Sequence, residues 1–185
     1  MKITVTKLQA VRRQLETALT LYFDGKDPVS IHTLASAAYN VIRDVNRNKG
    51  GKPMLVKELH ADQFVEKLGQ TPKHIADILN ETENFFKHAG RDADKTLTFD
   101  DGQAELLLLD ACEKYREITN EMVPMFGAFI LWMVSQKPHI IRPKLLPPEL
   151  AASQREFGEA LRKSNMTRRQ WLDYALAALG QNGTA

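Results

Sequence analysis

The sequence predicts an all-α protein, a bundle of about six helices followed by an extended strap and a C-terminal helical hairpin. Apolar residues recur at intervals of three and four almost throughout the 185 residues, which is the spacing of the buried face of a helix. No convincing run alternates apolar and polar residues with period two, as a half-buried strand would require. These two observations favour helices packed on helices over a sheet.

Capping residues and helix breakers divide the first 136 residues into helices. Asp27 is an N-cap carboxylate before a first-turn proline, Pro28, and Thr71 is a second N-cap. Gly69 and Gly90 each follow the end of an apolar pattern, where glycine commonly ends a helix. Together with the apolar spacing, these signals predict helices over about residues 5–22, 27–46, 54–68, 71–89, 102–119 and 123–135. The sixth helix is apolar on every side, so we expect it at the buried centre of the bundle.

The composition changes after residue 136, where the segment 137–148 contains four prolines. Proline prevents helix formation, and the apolar residues between the prolines predict a strap that lies along the bundle. Two further helices, at about 149–163 and 168–179, predict a hairpin. The chain therefore divides into a bundle (1–136), a strap (137–148) and a C-terminal helical hairpin (149–185). We expect the hairpin to pack on the bundle or on a second subunit, and the protein to form a homo-oligomer through it.

Charge, cysteine content and apolar run length exclude several classes of protein. A formal net charge of +2 is too small for bulk electrostatic binding of nucleic acid or anionic lipid. The single cysteine, Cys112, cannot form an internal disulfide, and its apolar helical surroundings predict a buried structural thiol. The longest apolar run, 123–134, is shorter than the roughly 20 residues that span a bilayer. We therefore expect a cytoplasmic protein without membrane association.

The sequence also predicts no metal and no cofactor. Neither Glu-x-x-His nor His-Glu-x-x-His occurs, and one cysteine is too few for a structural zinc site. The acidic stretch that begins at Asp92 resembles a calcium loop, but Leu97 stands at the obligatory glycine position and Gln103 at the bidentate glutamate position. No glycine-rich phosphate loop, nucleophile elbow or dinucleotide fingerprint is present, which excludes nucleophilic hydrolases and Rossmann enzymes.

Polar side chains on the second and fourth predicted helices form the candidate site. At about 100° of rotation per residue, they fall on the flanks of the two apolar faces, where packed helices meet water. The second helix carries His32, Tyr39 and Arg43 on this flank, and the fourth carries Glu81, Asn84 and His88. If the two flanks face each other, the six side chains form one cleft that binds a ligand.

The residue types in this cleft suit acid–base chemistry or phosphate binding. A histidine with a pKa of roughly 6.5 exchanges protons near neutral pH, and a nearby carboxylate raises that pKa and orients the ring. Arg43 offers a bidentate fork for a phosphate, and Tyr39 offers a stacking face. The alternative is structural, because histidines at a helix interface usually hydrogen-bond a neighbour. Glu81 and His88 would then form only a surface ion pair of well under ~1 kcal/mol.

Two segments carry a resemblance to a known family: 32–38, His-Thr-Leu-Ala-Ser-Ala-Ala, and 84–89, Asn-Phe-Phe-Lys-His-Ala. With the order of the helices over about residues 5–135, they resemble the HEPN-like helical proteins. That resemblance implies an arginine, a polar residue beside it and a histidine a few positions later. Asn84 and His88 match this pattern, whereas Glu83 stands where the arginine is expected. The Phe-Phe-Lys-His-Ala tract is also similar to a group of small bacterial proteins of unknown function.

The resemblance implies a function for the cleft. In HEPN-like proteins the arginine and histidine serve metal-independent RNA cleavage, and many members without them bind nucleotides, RNA or partner proteins. Because the arginine is missing, we expect a non-catalytic binding module for RNA, a nucleotide or a partner protein. The alternative is an RNA-cleaving enzyme in which His88 is the acid–base group and Arg43 stabilises the phosphate. A third hypothesis is a structural protein that assembles through the C-terminal hairpin.

The turn of that hairpin is basic and suggests a further possibility. It carries Arg162, Lys163, Arg168 and Arg169, and two helices around such a turn resemble half of a helix-turn-helix. A basic turn beside a helix N-terminus is a reasonable phosphate contact. Because no further helix follows to complete a three-helix core, we favour an arm that packs on the bundle or on a second subunit over a DNA reader.

Overall fold

The computed structural model describes residues 2–59, 72–88, 90, 93–137 and 158–181, and in these ranges the protein is an all-α bundle without strands. Six α-helices are α1 (Lys7–Phe23), α2 (Pro28–Asn48), α3 (Pro72–Lys87), α4 (Gly102–Thr119), α5 (Pro124–Gln136) and α6 (Arg168–Gln181). A π-helical turn spans Leu55–Leu59, and residues 158–163 are also helical. The all-α prediction is confirmed.

Local capping explains where the first two helices begin. Thr6 and Gln9 form a reciprocal capping box before α1, in which each side chain accepts from the backbone N–H of the other residue. Asp27 accepts the Ser30 N–H at 2.8 Å, and Pro28 occupies the first turn of α2. Asn120 takes a left-handed conformation with φ of 54° and ends α4.

The centre of the bundle is α2, which packs against α1 and α4. The side chains that fill this centre are completely buried: Val11, Leu15, Leu19, Ala35, Ile42, Leu108 and Ala111. Each fully buried valine, leucine or isoleucine contributes about 1.5–3 kcal/mol, so these three helices make a firm frame. Cys112 is also fully buried on α4, and burial raises the pKa of its thiol well above the usual range.

The apolar helix α5 was expected at the buried centre of the bundle, but it lies at the side. Phe126, Phe129 and Met133 face inward, but Leu131 on the other face is 37% exposed. Beside α5 is an apolar pocket of about 210 Å³ to which Met122 and Leu131 contribute. The reason is competition for space, since α2 and α4 already fill the centre.

A chain of buried hydrogen bonds joins α1, α4 and α5. The Trp132 indole N–H donates to the Tyr22 hydroxyl at 3.1 Å, and that hydroxyl donates to Glu105 at 2.7 Å. The other Glu105 oxygen pairs with Lys137 just after α5. Burial and the neighbouring Glu105 carboxylate raise the pKa of Tyr22, so the phenol stays protonated and remains a donor.

The C-terminal helices pack on α5 of the same chain. Trp171 of α6 is buried, and its indole N–H donates to the Ala128 carbonyl at 3.1 Å. Leu172 and Ala175 complete the buried face of α6. The helical residues 158–163 lie close to the end of α5, where Arg162 donates to the Ser135 carbonyl.

Thr71 and Ala89, the two ends of the predicted fourth helix, lie outside the described residues, and three further predicted segments lie wholly or partly outside them. These are the third helix beyond residue 59, the strap after residue 137 and the first part of the hairpin before residue 158. Within the described ranges, no helix combines the length and the apolar character needed to cross a bilayer.

Candidate functional site

A buried ion pair links the π-helical turn to α3 beside α2. The Lys57 ammonium lies 2.6 Å from Glu83 Oε2, and the two side chains are only 6% and 9% exposed. The second Glu83 oxygen accepts from the Lys87 ammonium at 2.5 Å. We call Lys57, Lys87 and Glu83, together with Arg43, whose charge acts on Lys57, the cation cluster. One buried carboxylate therefore serves two lysines.

Amide side chains complete the hydrogen bonding of this ion pair. Asn40 of α2 donates to Glu83 Oε1 at 2.6 Å, and its own oxygen lies 3.4 Å from the Lys57 ammonium. Asn80 of α3 accepts from the same ammonium at 2.6 Å. Lys57 thus has three oxygen partners, and its nitrogen also lies 5.6 Å from the centre of the Tyr39 ring. A buried charge with this many partners is held in one place.

Burial and the neighbouring charges shift the pKa values of Lys57 and Glu83. Burial lowers the pKa of the Lys57 ammonium, although its hydrogen bond to Glu83 opposes this effect, and the nearby Arg43 and Lys87 lower it further. Burial acts to raise the pKa of Glu83, but hydrogen bonds from the two lysines outweigh it and lower that pKa. Glu83 is therefore firmly ionised, and the cluster carries more positive than negative charge.

Arg43 is the cation of this cluster with the weakest carboxylate contact. Its side chain is 22% exposed, and its guanidinium lies 3.4 Å from Asp44, the next residue in the chain, whose side chain is itself 64% exposed. Lys87 is also accessible, with 33% of its side chain exposed. The two accessible cations of the cluster therefore lie on different helices, Arg43 on α2 and Lys87 on α3.

Tyr39 and Asp110 hold the turn that carries Lys57. The Tyr39 hydroxyl accepts the Lys57 backbone N–H at 3.0 Å, and Asp110 of α4 accepts the N–H of Val56 at 2.9 Å and also that of Leu55. The Tyr39 hydroxyl is in turn hydrogen-bonded to Asp110. Because the Tyr39 ring is completely buried, it does not offer the stacking face expected from the sequence.

His32 is buried in an aromatic cluster instead of facing a cleft. Its ring centre lies 5.5 Å from that of Phe86 and 6.1 Å from that of Phe99, in edge-to-face arrangements. Ser36 Oγ is 3.3 Å from His32 Nδ1. Burial lowers the pKa of His32. The imidazole is therefore disfavoured as a cation, and its contacts are those of a structural residue.

The three residues selected from α3 face solvent. Glu81, Asn84 and His88 are exposed, and no contact among the described residues joins their side chains to His32, Tyr39 or Arg43. The polar α3 side chains that meet α2 or the π-helical turn are those of Asn80 and Glu83, and Lys87 binds Glu83 on the same helix. Sequence reasoning missed them because a polar stripe at helical spacing is usually solvated, and the Glu83–Lys87 spacing of four residues was the only available signal.

The basic residues of the hairpin turn mostly contact their own chain. The Arg168 guanidinium lies 4.3 Å from the centre of the Tyr22 ring, and Arg169 pairs with Asp24 at 3.1 Å. Arg162 is engaged at the end of α5, as described above. These contacts fix the hairpin to the bundle and leave less of the basic turn for a nucleic acid. In the described part of the chain, no three carboxylate, histidine or cysteine side chains come together as a metal site.

Fold and site together define an all-α bundle with a buried, lysine-rich ion cluster between its second and third α-helices. Comparison with protein-family models, with curated protein sequences and with solved structures finds no match to this chain. The resemblance to HEPN-like proteins therefore stays a prediction. At the position where that family places an arginine, Glu83 binds two lysines.

Proposed function

We propose that this protein is a non-catalytic binding module that holds a phosphate group of RNA or of a nucleotide at the cation cluster between α2 and α3. One observation carries the proposal: Lys57 and Lys87 share a single buried carboxylate, Glu83, and the positive charge of Arg43 acts on Lys57 as well. A second anion at the edge of the cluster would balance the charge that Glu83 leaves uncompensated.

The geometry suits a phosphate better than a neutral ligand. A guanidinium binds phosphate oxygens through two parallel N–H donors, and an ammonium adds a point charge. Arg43 on α2 and Lys87 on α3 supply these two groups. Because both are partly buried, salt screens their attraction for an anion less than it would screen that of fully exposed charges.

Binding is favoured over RNA cleavage by the positions of His32 and His88. General acid–base catalysis needs an imidazole within hydrogen-bond or one-water reach of the reacting group. His32 is buried against Phe86 and Phe99, and burial lowers its pKa. His88 is exposed, and none of its contacts among the described residues joins it to the cation cluster.

The test is binding of a fluorescein-labelled single-stranded oligoribonucleotide and of ADP, measured by fluorescence anisotropy and by calorimetry at two salt concentrations. Arg43→Gln removes one charged hydrogen-bond donor, so we expect affinity to fall about tenfold or more. Arg13→Gln makes the same charge change on an exposed face of α1 and should leave affinity unchanged. Absence of binding by the natural protein, or equal losses in both variants, would refute the proposal.

Two further partner classes from the sequence remain proposals with less support. A partner protein could use the exposed face of α3, and a homo-oligomer could form through the C-terminal hairpin. The apolar face of α6, however, is buried on α5 of the same chain through Trp171 and Leu172. We place the module in the cytoplasm because its one cysteine, Cys112, is a buried free thiol.

A further inference from the structure

Side chains bind the backbone N–H groups at the N-terminal end of the π-helical turn Leu55–Leu59. The backbone N–H of Met54 donates to Glu58, those of Leu55 and Val56 donate to Asp110, and that of Lys57 donates to the Tyr39 hydroxyl. The first N–H groups of any helical segment lack partners within it. Here four consecutive groups find partners, so this short segment is fixed in place.

Fixing the backbone of this turn determines where the Lys57 side chain goes. Tyr39 and Asn40 are neighbours on α2: the first holds the Lys57 backbone and the second contacts its ammonium. The Lys57 side chain then reaches Asn80 and Glu83 on α3, 2.6 Å from each. A buried ammonium in such a setting is costly unless it keeps all its partners. Its location therefore depends on the turn remaining closed.

The position of Lys57 in turn sets the charge of the cation cluster. With Lys57 in place, Glu83 is shared between two lysines. If the turn opened and Lys57 moved into water, Glu83 would keep its contact with Lys87, and Lys87 and Arg43 would be the remaining cations of the cluster. Their attraction for a second anion would then fall, because one carboxylate would neutralise a larger share of the remaining positive charge.

We propose that Tyr39 and Asp110 are positioning residues for anion binding: by holding the N–H groups of residues 55–57, they deliver the Lys57 ammonium to Glu83 and keep the cation cluster positive. This inference rests on the proposed function for its consequence in binding, but the placement of Lys57 is testable without any ligand. Neither residue touches the anion itself, since Tyr39 is completely buried and Asp110 lies on α4 behind the turn.

The experiment compares the full chain with Tyr39→Phe, which removes only the hydroxyl and keeps the buried ring. Three readouts are followed: amide hydrogen exchange at residues 55–57, NMR titration of the Lys57 ammonium, and affinity for the labelled oligoribonucleotide. We expect exchange at the Lys57 amide to rise at least about tenfold, because this N–H loses its hydrogen bond to the Tyr39 hydroxyl. We expect affinity for the oligoribonucleotide to fall about tenfold. We also expect the pKa of Lys57 to rise towards its usual range.

Matched variants separate positioning from general stability. Tyr115→Phe removes a hydroxyl that donates to Glu121 at 3.0 Å, on the same helix as Asp110 but away from the turn, and should leave all three readouts unchanged. Asp110→Asn weakens the acceptor of the Leu55 and Val56 N–H groups, so it should change the three readouts in the same direction as Tyr39→Phe does. It also keeps the test decisive if Tyr39→Phe does not fold.

The outcomes distinguish this inference from the proposed function. One outcome is that the variants change amide exchange at residues 55–57 and the pKa of Lys57 while the natural protein binds no oligoribonucleotide. In that case the positioning role stands and the proposed function fails. If neither variant alters the amides of residues 55–57 or the Lys57 titration, the positioning role is refuted whatever the protein binds.

Discussion

At the scale of single residues, the polar side chains that matter are those whose partners come from other elements. His32 lies on the flank of α2, as its position in the helical repeat predicts, but Phe86 and Phe99 close over it. Glu83 looks like one of several acidic residues along α3, yet Lys57 and Lys87 both bind it. In each case the partner, and not the residue type, decides the role.

The burial of His32 makes the stability of the protein depend on pH. Its folded-state pKa is lowered from 6.5, so the unfolded state binds a proton more readily than the folded state. The stabilising contribution is complete above pH 6.5 and is lost as the pH falls from 6.5 through the lowered pKa. We expect the free energy of unfolding, measured by urea denaturation, to fall in this window by up to about 1.4 kcal/mol per pH unit from this group.

A pair of histidine variants isolates this contribution. His32→Phe keeps an aromatic ring among Phe86 and Phe99 and should remove this part of the pH slope. His88→Gln changes an exposed histidine on α3 and should retain the slope. If the two variants show the same dependence on pH as the natural protein, the slope comes from other groups and His32 is not its source.

At the scale of secondary-structure elements, close backbone contact explains how the helical residues 158–163 pack on α5. A Cβ atom added to Gly158 would lie 3.2 Å from both the Cα and the carbonyl oxygen of Ser135. Those are backbone atoms of a neighbouring helix, so they cannot rotate away as a flexible side chain can. Glycine at this position therefore permits the approach of two helices.

Gly158→Ala is expected to destabilise the protein by about 1 kcal/mol, even though alanine is the better helix former. The gain in helix propensity is offset by the need to push α5 and residues 158–163 apart. Thermal denaturation gives the measurement. Gly90→Ala is the control, because a Cβ there would meet no atom within 4 Å. A stabilised Gly158→Ala variant would mean that the two helices separate easily.

At the scale of the whole molecule, α6 completes the surface of the bundle by covering α5. Trp171 is 2% exposed, contacts Trp132 with a ring-centre distance of 6.4 Å, and donates to the Ala128 carbonyl. The hairpin arginines add contacts to Tyr22 on α1 and to Asp24 just after it. This packing lies within one chain, whereas the sequence alone was equally compatible with packing against a second subunit.

Trp171→Ala is expected to lower the free energy of unfolding by about 3–5 kcal/mol, because it empties a buried aromatic site. Tyr174→Ala on the neighbouring exposed face should have a much smaller effect. If the contacts are intramolecular, the melting temperature of the natural protein will not change with protein concentration. A melting temperature that rises over a hundredfold range of concentration would instead support the homo-oligomer predicted from the sequence.

The sequence by itself determined the fold class, most helix boundaries and the buried state of Cys112, because these depend on local signals. Apolar spacing places the core face of a helix, and residues such as Asp27 and Pro28 act on the adjacent turn. Two elements differ from their predictions. The helix expected from residue 54 begins as a π-helical turn held by Tyr39 and Asp110. The helix α5, expected at the centre of the bundle, lies at its side.

Only the tertiary structure decided which polar residues meet. Of the residues selected from the sequence, Arg43 adds its charge to the cation cluster, Tyr39 supports it from behind, and His32 belongs to an aromatic cluster. Lys57 and Glu83 are 26 positions apart and carry no local signal that they pair. Helical periodicity gives the direction of a side chain from its own helix. The relative rotation and translation of two helices, which bring such side chains together, come from the packing of the whole core.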